Sequence, residues 1–219
     1  VSSVSRKRKA QDAAENAAQQ GADGQPGASV VCPLTCDQVL NQFDPPVIIG
    51  TYDELKEISK PGYQREHFIP NSNFVKGPGR TGPNVKGMGN YSEGEAITYF
   101  VYDDQSHGTE HKELTDRERD FAQQLEEKGE HATVREWLDY MESQTEQSLA
   151  QSVEREPDVS KPRATGDIAK SGAKCIRKRA EDRFVEMGVD LDAKMRNGQA
   201  NGAPPSRDTK KRKGEKTNV

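Results

Sequence analysis

Residues 95–104, EAITYFVYDD, are β-branched and aromatic almost throughout, and they constrain the fold more than any other part of the chain. Such side chains suit a pleated, half-buried surface, so this segment is predicted to be the principal strand. A strand needs partners, and two extended segments precede it. PPVIIG (45–50) reads as a short buried strand or extended segment ending at Gly50. QREHFIPNSNF (64–74) alternates apolar and polar side chains. Between them, TYDELKEISK (51–60) predicts a short helix. Thr51 is its N-cap, Glu54 completes a capping box, and Pro61-Gly62 closes it. VKGPGRTGPNVKGMGN (75–90) holds too much Gly and Pro for regular structure and is expected to be a long loop.

Helical patterns follow the principal strand. Thr115 and Glu118 form a second capping-box pattern, for a helix of roughly four turns ending at Gly129. In the next segment, 132–153, Val134, Leu138, Met141 and Leu149 fall near one helical face with Trp137. Only 31% of the chain is hydrophobic, 31% is charged and the mean hydropathy is −1.00. One modest α+β domain with disordered or loosely helical flanks is therefore expected. The boundaries read as a linker over 1–35, a domain over 36–151, and a polar segment over 152–219. That last segment is partly helical in KCIRKRAEDRFVEMGVDLDAKM (174–195) and then a disordered basic tail. No run of about 18 apolar residues exists, so no membrane span is predicted. The charged N-terminus lacks the apolar stretch of a signal peptide, and Val1 suits a fragment or a domain released from a longer polypeptide.

The net charge of −4 is unevenly spread: RKRK (6–9) and KKRK (210–213) flank an acidic stretch at 110–131. The basic clusters read as solvated tails or as contacts for a polyanion. The three cysteines, Cys32, Cys36 and Cys175, are odd in number, which argues against a disulfide framework. Cys32 and Cys36 lie four apart without a second half-site, so thiols at a domain edge are expected rather than zinc.

The chain has four histidines, and the chemistry concentrates around three of them. Glu66 and His67 are adjacent in the extended REHFIP stretch, and His107 and His111 lie four apart in SHGTEH. On a helix, that spacing puts both imidazoles on one face, able to share an ion. Glu66 can add an oxygen ligand. Because neighbours on a strand point to opposite sides, bringing Glu66 and His67 to one water needs a twist or bulge.

The order of acid-His strand, loop, strong strand and His-x-x-x-His is the layout of a ββα-metal (His-Me) finger. REHFIP resembles the first-strand signature of HNH and endonuclease VII-type nucleases, and SHGTEH resembles the helix-borne metal ligands of colicin-type DNases. More narrowly, residues 50–74 followed by SHGTEH resemble toxin domains of bacterial polymorphic and contact-dependent systems, in the variety named for a Ser-His-His signature. The resemblance covers roughly residues 50–125.

It implies a metal-dependent, sequence-nonspecific endonuclease that serves as an antibacterial toxin. His67 would be the general base. Glu66, His107 and His111 would be ligands to a divalent ion, one of Mg, Zn, Ni or Mn. Arg65 and Arg80 are candidates to clamp the phosphate, because a guanidinium fork matches its oxygens. Lys76, Arg80 and Lys86 give a positive strip on the Gly-rich loop. The implied partners are nucleic acid, double-stranded DNA in the first instance, and a cognate immunity protein. Delivery would be by a secretion system, with action in the target cytoplasm. The family's second-strand asparagine has no counterpart in EAITYF, and Asn71, Asn73 or Asn90 would have to replace it. The alternative reading is a non-enzymatic interaction or DNA-binding module with incidental histidines.

Overall fold

A computed structural model describes residues 34–77, 82–103, 110–150, 152–154, 160–162, 164 and 166–200. Most of the expected linker, both terminal basic clusters, Cys32, Arg80 and His107 lie outside the described residues. The fold is mixed α+β, with a three-stranded antiparallel sheet in the order β1-β3-β2. The strands are β1 (Ile49–Thr51), β2 (Tyr63–His67) and β3 (Ile97–Tyr102). The strongest strand by composition is thus the central one. Thr98 through Tyr102 are all buried, because β3 is covered on both faces and flanked on both edges.

Helix α1 (Cys36–Leu40) opens on a reciprocal capping box between Thr35 and Gln38. Helix α2 (Tyr52–Lys56) has the predicted Thr51–Glu54 box: the Thr51 N–H donates to the Glu54 carboxylate at 2.8 Å. It stops at Lys56, short of Pro61: Leu55 is its only buried side chain, and residues 57–59 are exposed.

Among its described residues, the Gly/Pro-rich loop between β2 and β3 holds no long regular element, and it is firmly anchored. Phe74 is fully buried and stacks on Tyr91 with ring centroids 3.8 Å apart. Gly89, at φ +50°, lies so close to the backbone of Gly188 that a Cβ there would meet its carbonyl oxygen at 2.3 Å.

Helix α3 (Glu110–Lys128) begins before Thr115, which is therefore interior, so the capping box expected there does not form. Instead, the buried Glu110 carboxylate accepts the Tyr102 N–H at 2.9 Å and ties the start of α3 to the end of β3. Gly129, at φ +67°, ends the helix where the sequence predicted. Helix α4 (Val134–Ala150) starts on a Thr133–Glu136 box and buries Val134, Trp137, Leu138, Met141 and Leu149.

Helix α5 (Gly166–Glu186) changes the expected domain boundary. Ala169, Ala173, Ile176, Ala180 and Phe184 recur at helical spacing and are buried against α4 and the sheet. Residues that the sequence placed in a polar, partly helical segment outside the domain thus contribute to the core. Alanine dominates that face, which keeps its hydropathy low while still letting it pack. Arg177 of α5 reinforces the junction by bridging Asp139 at 2.8 Å and Glu142 at 3.1 Å on α4. A short ribbon, β4 (Ser152–Glu154) paired with β5 (Ser160–Pro162), lies between α4 and α5 in sequence.

Cys36 and Cys175 form a disulfide that links α1 to α5. This corrects the expectation of free thiols at a domain edge. An odd count excludes only full pairing, and the approach of two helices to a Cα–Cα distance of 5.3 Å, suited to a disulfide, is a tertiary event.

Candidate functional site

The candidate site is built from β2, β3, α2 and α3. β2 pairs with β3 in continuous register from Tyr63↔Tyr102 to His67↔Thr98. No bulge interrupts it, so the twist or bulge expected at Glu66-His67 is absent within the ladder. Adjacent side chains consequently leave opposite faces. Glu66 turns toward α3 and His67 toward α2.

On the α3 side, Glu66 Oε2 lies 2.5 Å from His111 Nδ1. The contact joins residues 45 apart in sequence. The carboxylate is the inner member, with its side chain 7% exposed, whereas the imidazole is 33% exposed. Solutes therefore reach the pair past His111. Behind it, the phenol of Tyr99 is fully buried and shares a hydrogen bond with Thr145 at 3.1 Å. Burial pushes the Tyr99 pKa well above the usual tyrosine value, and the carboxylates of Glu66, Glu118 and Glu110 add to the rise. These three acids are buried beside the pair.

On the α2 side, the buried His67 ring stacks on Tyr52, with centroids 5.1 Å apart and planes at 20°. Two residues earlier on the same face, the Arg65 guanidinium lies 5.1 Å from the Tyr52 ring centre. Tyr52 is thus flanked by the predicted base and the predicted phosphate clamp. No sequence signal pointed to it, because the first residue of a capped helix carries no mark of what it faces.

The other candidates fall differently. His107 and Arg80 lie outside the described residues. Lys76 and Lys86 are exposed. Asn73, a candidate for the missing asparagine, spends its side-chain carbonyl on the Gly198 N–H at 3.0 Å, which holds the C-terminal segment in place. Asn90 is exposed, and its N–H donates to the Met187 carbonyl. His131 lines another cleft, of about 710 Å³, with Phe121, Leu125 and Lys194.

Among the described residues, no three His, Cys, Asp or Glu side chains come together as a metal-ion site. Glu66 and His111 are two donors of suitable chemistry, a carboxylate and an imidazole. At 2.5 Å the two groups are within hydrogen-bond distance of each other. Two protein donors suit a hydrated ion such as Mg²⁺, which keeps several waters, better than a tetrahedral zinc site with three or four protein ligands. Comparisons with protein families, with curated proteins and with solved structures return no match.

Proposed function

We propose that this chain is a divalent-metal-dependent endonuclease that hydrolyses phosphodiester bonds in nucleic acid, with the ββα-metal arrangement formed by β2, β3 and α3. The observation that carries the reading is the Glu66–His111 contact, in which an acid on the first strand of the hairpin meets an imidazole on the first turn of the following helix. Glu66 and His111 would hold the ion, with His107 as a further ligand. When bound, the ion would stabilise negative charge that grows on the phosphate and the leaving oxygen.

The rest of the chemistry belongs to the chain. β2 is an edge strand, so a phosphodiester lying across its outer edge would meet Glu66 and His111 on one side and His67 on the other. His67, held flat by Tyr52, would accept the proton of an attacking water, an effect typically worth about 10²–10⁴-fold in rate. Arg65, on the same face as His67, would pair with a phosphate oxygen.

The biological role we propose is an antibacterial effector delivered by a secretion system. It would act on DNA in the target cytoplasm and be held in check in its producer by an immunity protein. The Cys36–Cys175 bridge supports passage through an oxidising compartment, where such bonds form and persist.

The test is plasmid degradation by purified protein in Mg²⁺, Mn²⁺, Ni²⁺ or Zn²⁺, abolished by EDTA. It is paired with thermal melts, in which a bound ion must raise the melting temperature. Glu66→Gln should lose both the cutting and the ion-dependent shift. His67→Ala should lose cutting while keeping the shift. Intact plasmid under all four ions refutes the proposal.

A further inference from the structure

We infer that the cleft between α2 and β2 is a track for a single nucleic-acid strand, leading toward His67. The direction of the track rests on the nuclease reading; the binding itself does not. The cleft has a volume of about 460 Å³ and is lined by the segment from Lys56 to Arg65 together with Phe100. Its charges are Lys56, Lys60 and Arg65 against one carboxylate, Glu57. Lys56 also pairs with Asp53 at 2.8 Å, but both side chains are about half exposed, and such surface pairs exchange readily for a phosphate.

The cations are interleaved with rings. Lys60 Nζ lies 4.0 Å from the centre of the Tyr63 ring and 5.8 Å from that of Phe100. Tyr63 in turn packs on Tyr102, with centroids 4.6 Å apart. Two residues along the same face comes Arg65 against Tyr52, and two further comes His67, which stacks on that ring. Arg65 and the half-buried rings of Tyr63 and Tyr52 thus line this face of β2, with Phe100 and Tyr102 buried beside them.

From Tyr63 to His67 this face covers about 13 Å at the rise of a strand. Basic grooves with aromatic platforms bind single strands, because every base offers a face to stack and every nucleotide a charge. A duplex is too broad to enter a cleft of this volume along its length. Glu57 and Asp53 are the exposed carboxylates at the cleft, while Glu66, Glu110 and Glu118 are buried and associated with the α3-facing side of the sheet.

The experiment measures fluorescence anisotropy of a fluorescein-labelled oligothymidylate with the intact chain in EDTA, where no cutting occurs. Three phosphate contacts predict that affinity falls about 20-fold between about 50 and 200 mM salt. In Lys56→Gln/Lys60→Gln one contact remains, and the same change in salt should cost only about 3-fold. Lys60→Arg keeps the charge and should behave as wild type, which guards against a folding defect.

An unchanged salt slope in the double variant, or no oligonucleotide binding by the wild type, overturns the inference. A duplex competitor as effective as the single strand overturns its strand selectivity. The two readings fail separately. Intact plasmid under every ion, with salt-dependent oligonucleotide binding preserved, removes the nuclease and leaves the track. Efficient cutting with binding unaffected by the lysine changes removes the track and leaves the nuclease.

Discussion

Reducing the Cys36–Cys175 bridge should destabilise the fold by an amount set by the length of chain it closes. The bridged residues are 139 apart in sequence. The chain-entropy relation for a loop of that length gives about 5 kcal/mol. For a domain of this size each kcal/mol moves the melting temperature by about 2–4 °C, so reduction should lower it by roughly 10–20 °C. The site magnifies the effect, because α1 is only five residues long and packs on α5. Without the bridge, α1 is held to α5 by the packing of Val39, Leu40 and Phe43 and by the exposed Asp37–Arg179 ion pair.

The assay is circular-dichroism melting with and without a phosphine reductant, beside Cys36→Ala/Cys175→Ala as the bridge-free chain and Cys32→Ala as a control. Thiol titration of the native protein should find two fewer thiols than titration of the reduced, unfolded chain. Equal numbers of thiols in the two, or a melting temperature that reduction leaves in place, would refute the reasoning. A loss below about 2 kcal/mol would show that the unfolded chain is not the flexible loop the relation assumes.

Tyr99→Phe should cost about 1 kcal/mol near neutral pH for the lost Thr145 hydrogen bond. Because the folded phenol has a raised pKa, Tyr99 contributes stability in full below the ordinary tyrosine value of about 10 and loses it as pH rises through the folded value. Urea midpoints at about pH 8 and pH 10.5 should therefore converge for wild type and variant at the higher pH; a constant gap would refute the sign. Tyr140, pushed up by burial to about 12, should be among the last tyrosines to ionise in an ultraviolet titration, and Tyr140→Phe should remove that late step. In Gly172→Ala, helix propensity favours the alanine by about 1 kcal/mol. The added Cβ, however, would meet Phe43 Cζ at 2.5 Å, and overpacking costs about 1–3 kcal/mol. A lower urea midpoint with an unchanged slope is expected; a gain in stability would show that Phe43 yields freely.

What sequence determined by itself was local. The central strand announced itself through β-branched and aromatic residues, and the Thr51–Glu54 box and the Gly129 stop could be read because their partners lie within four residues. The apolar face of α4 was equally legible from its period. Tertiary structure alone decided which distant pieces meet. The alanine face of α5 carries too little hydropathy to declare itself core, yet beside α4 it is fully buried. Cys175 became a disulfide partner only because α5 returns past α1. At the site, the residue types could be nominated from REHFIP and SHGTEH, but not the meeting of Glu66 with His111 or the ring of Tyr52 against His67. The reason is physical: propensity and capping act over a single turn, whereas a contact 45 residues apart is set by the packing of helices on a sheet.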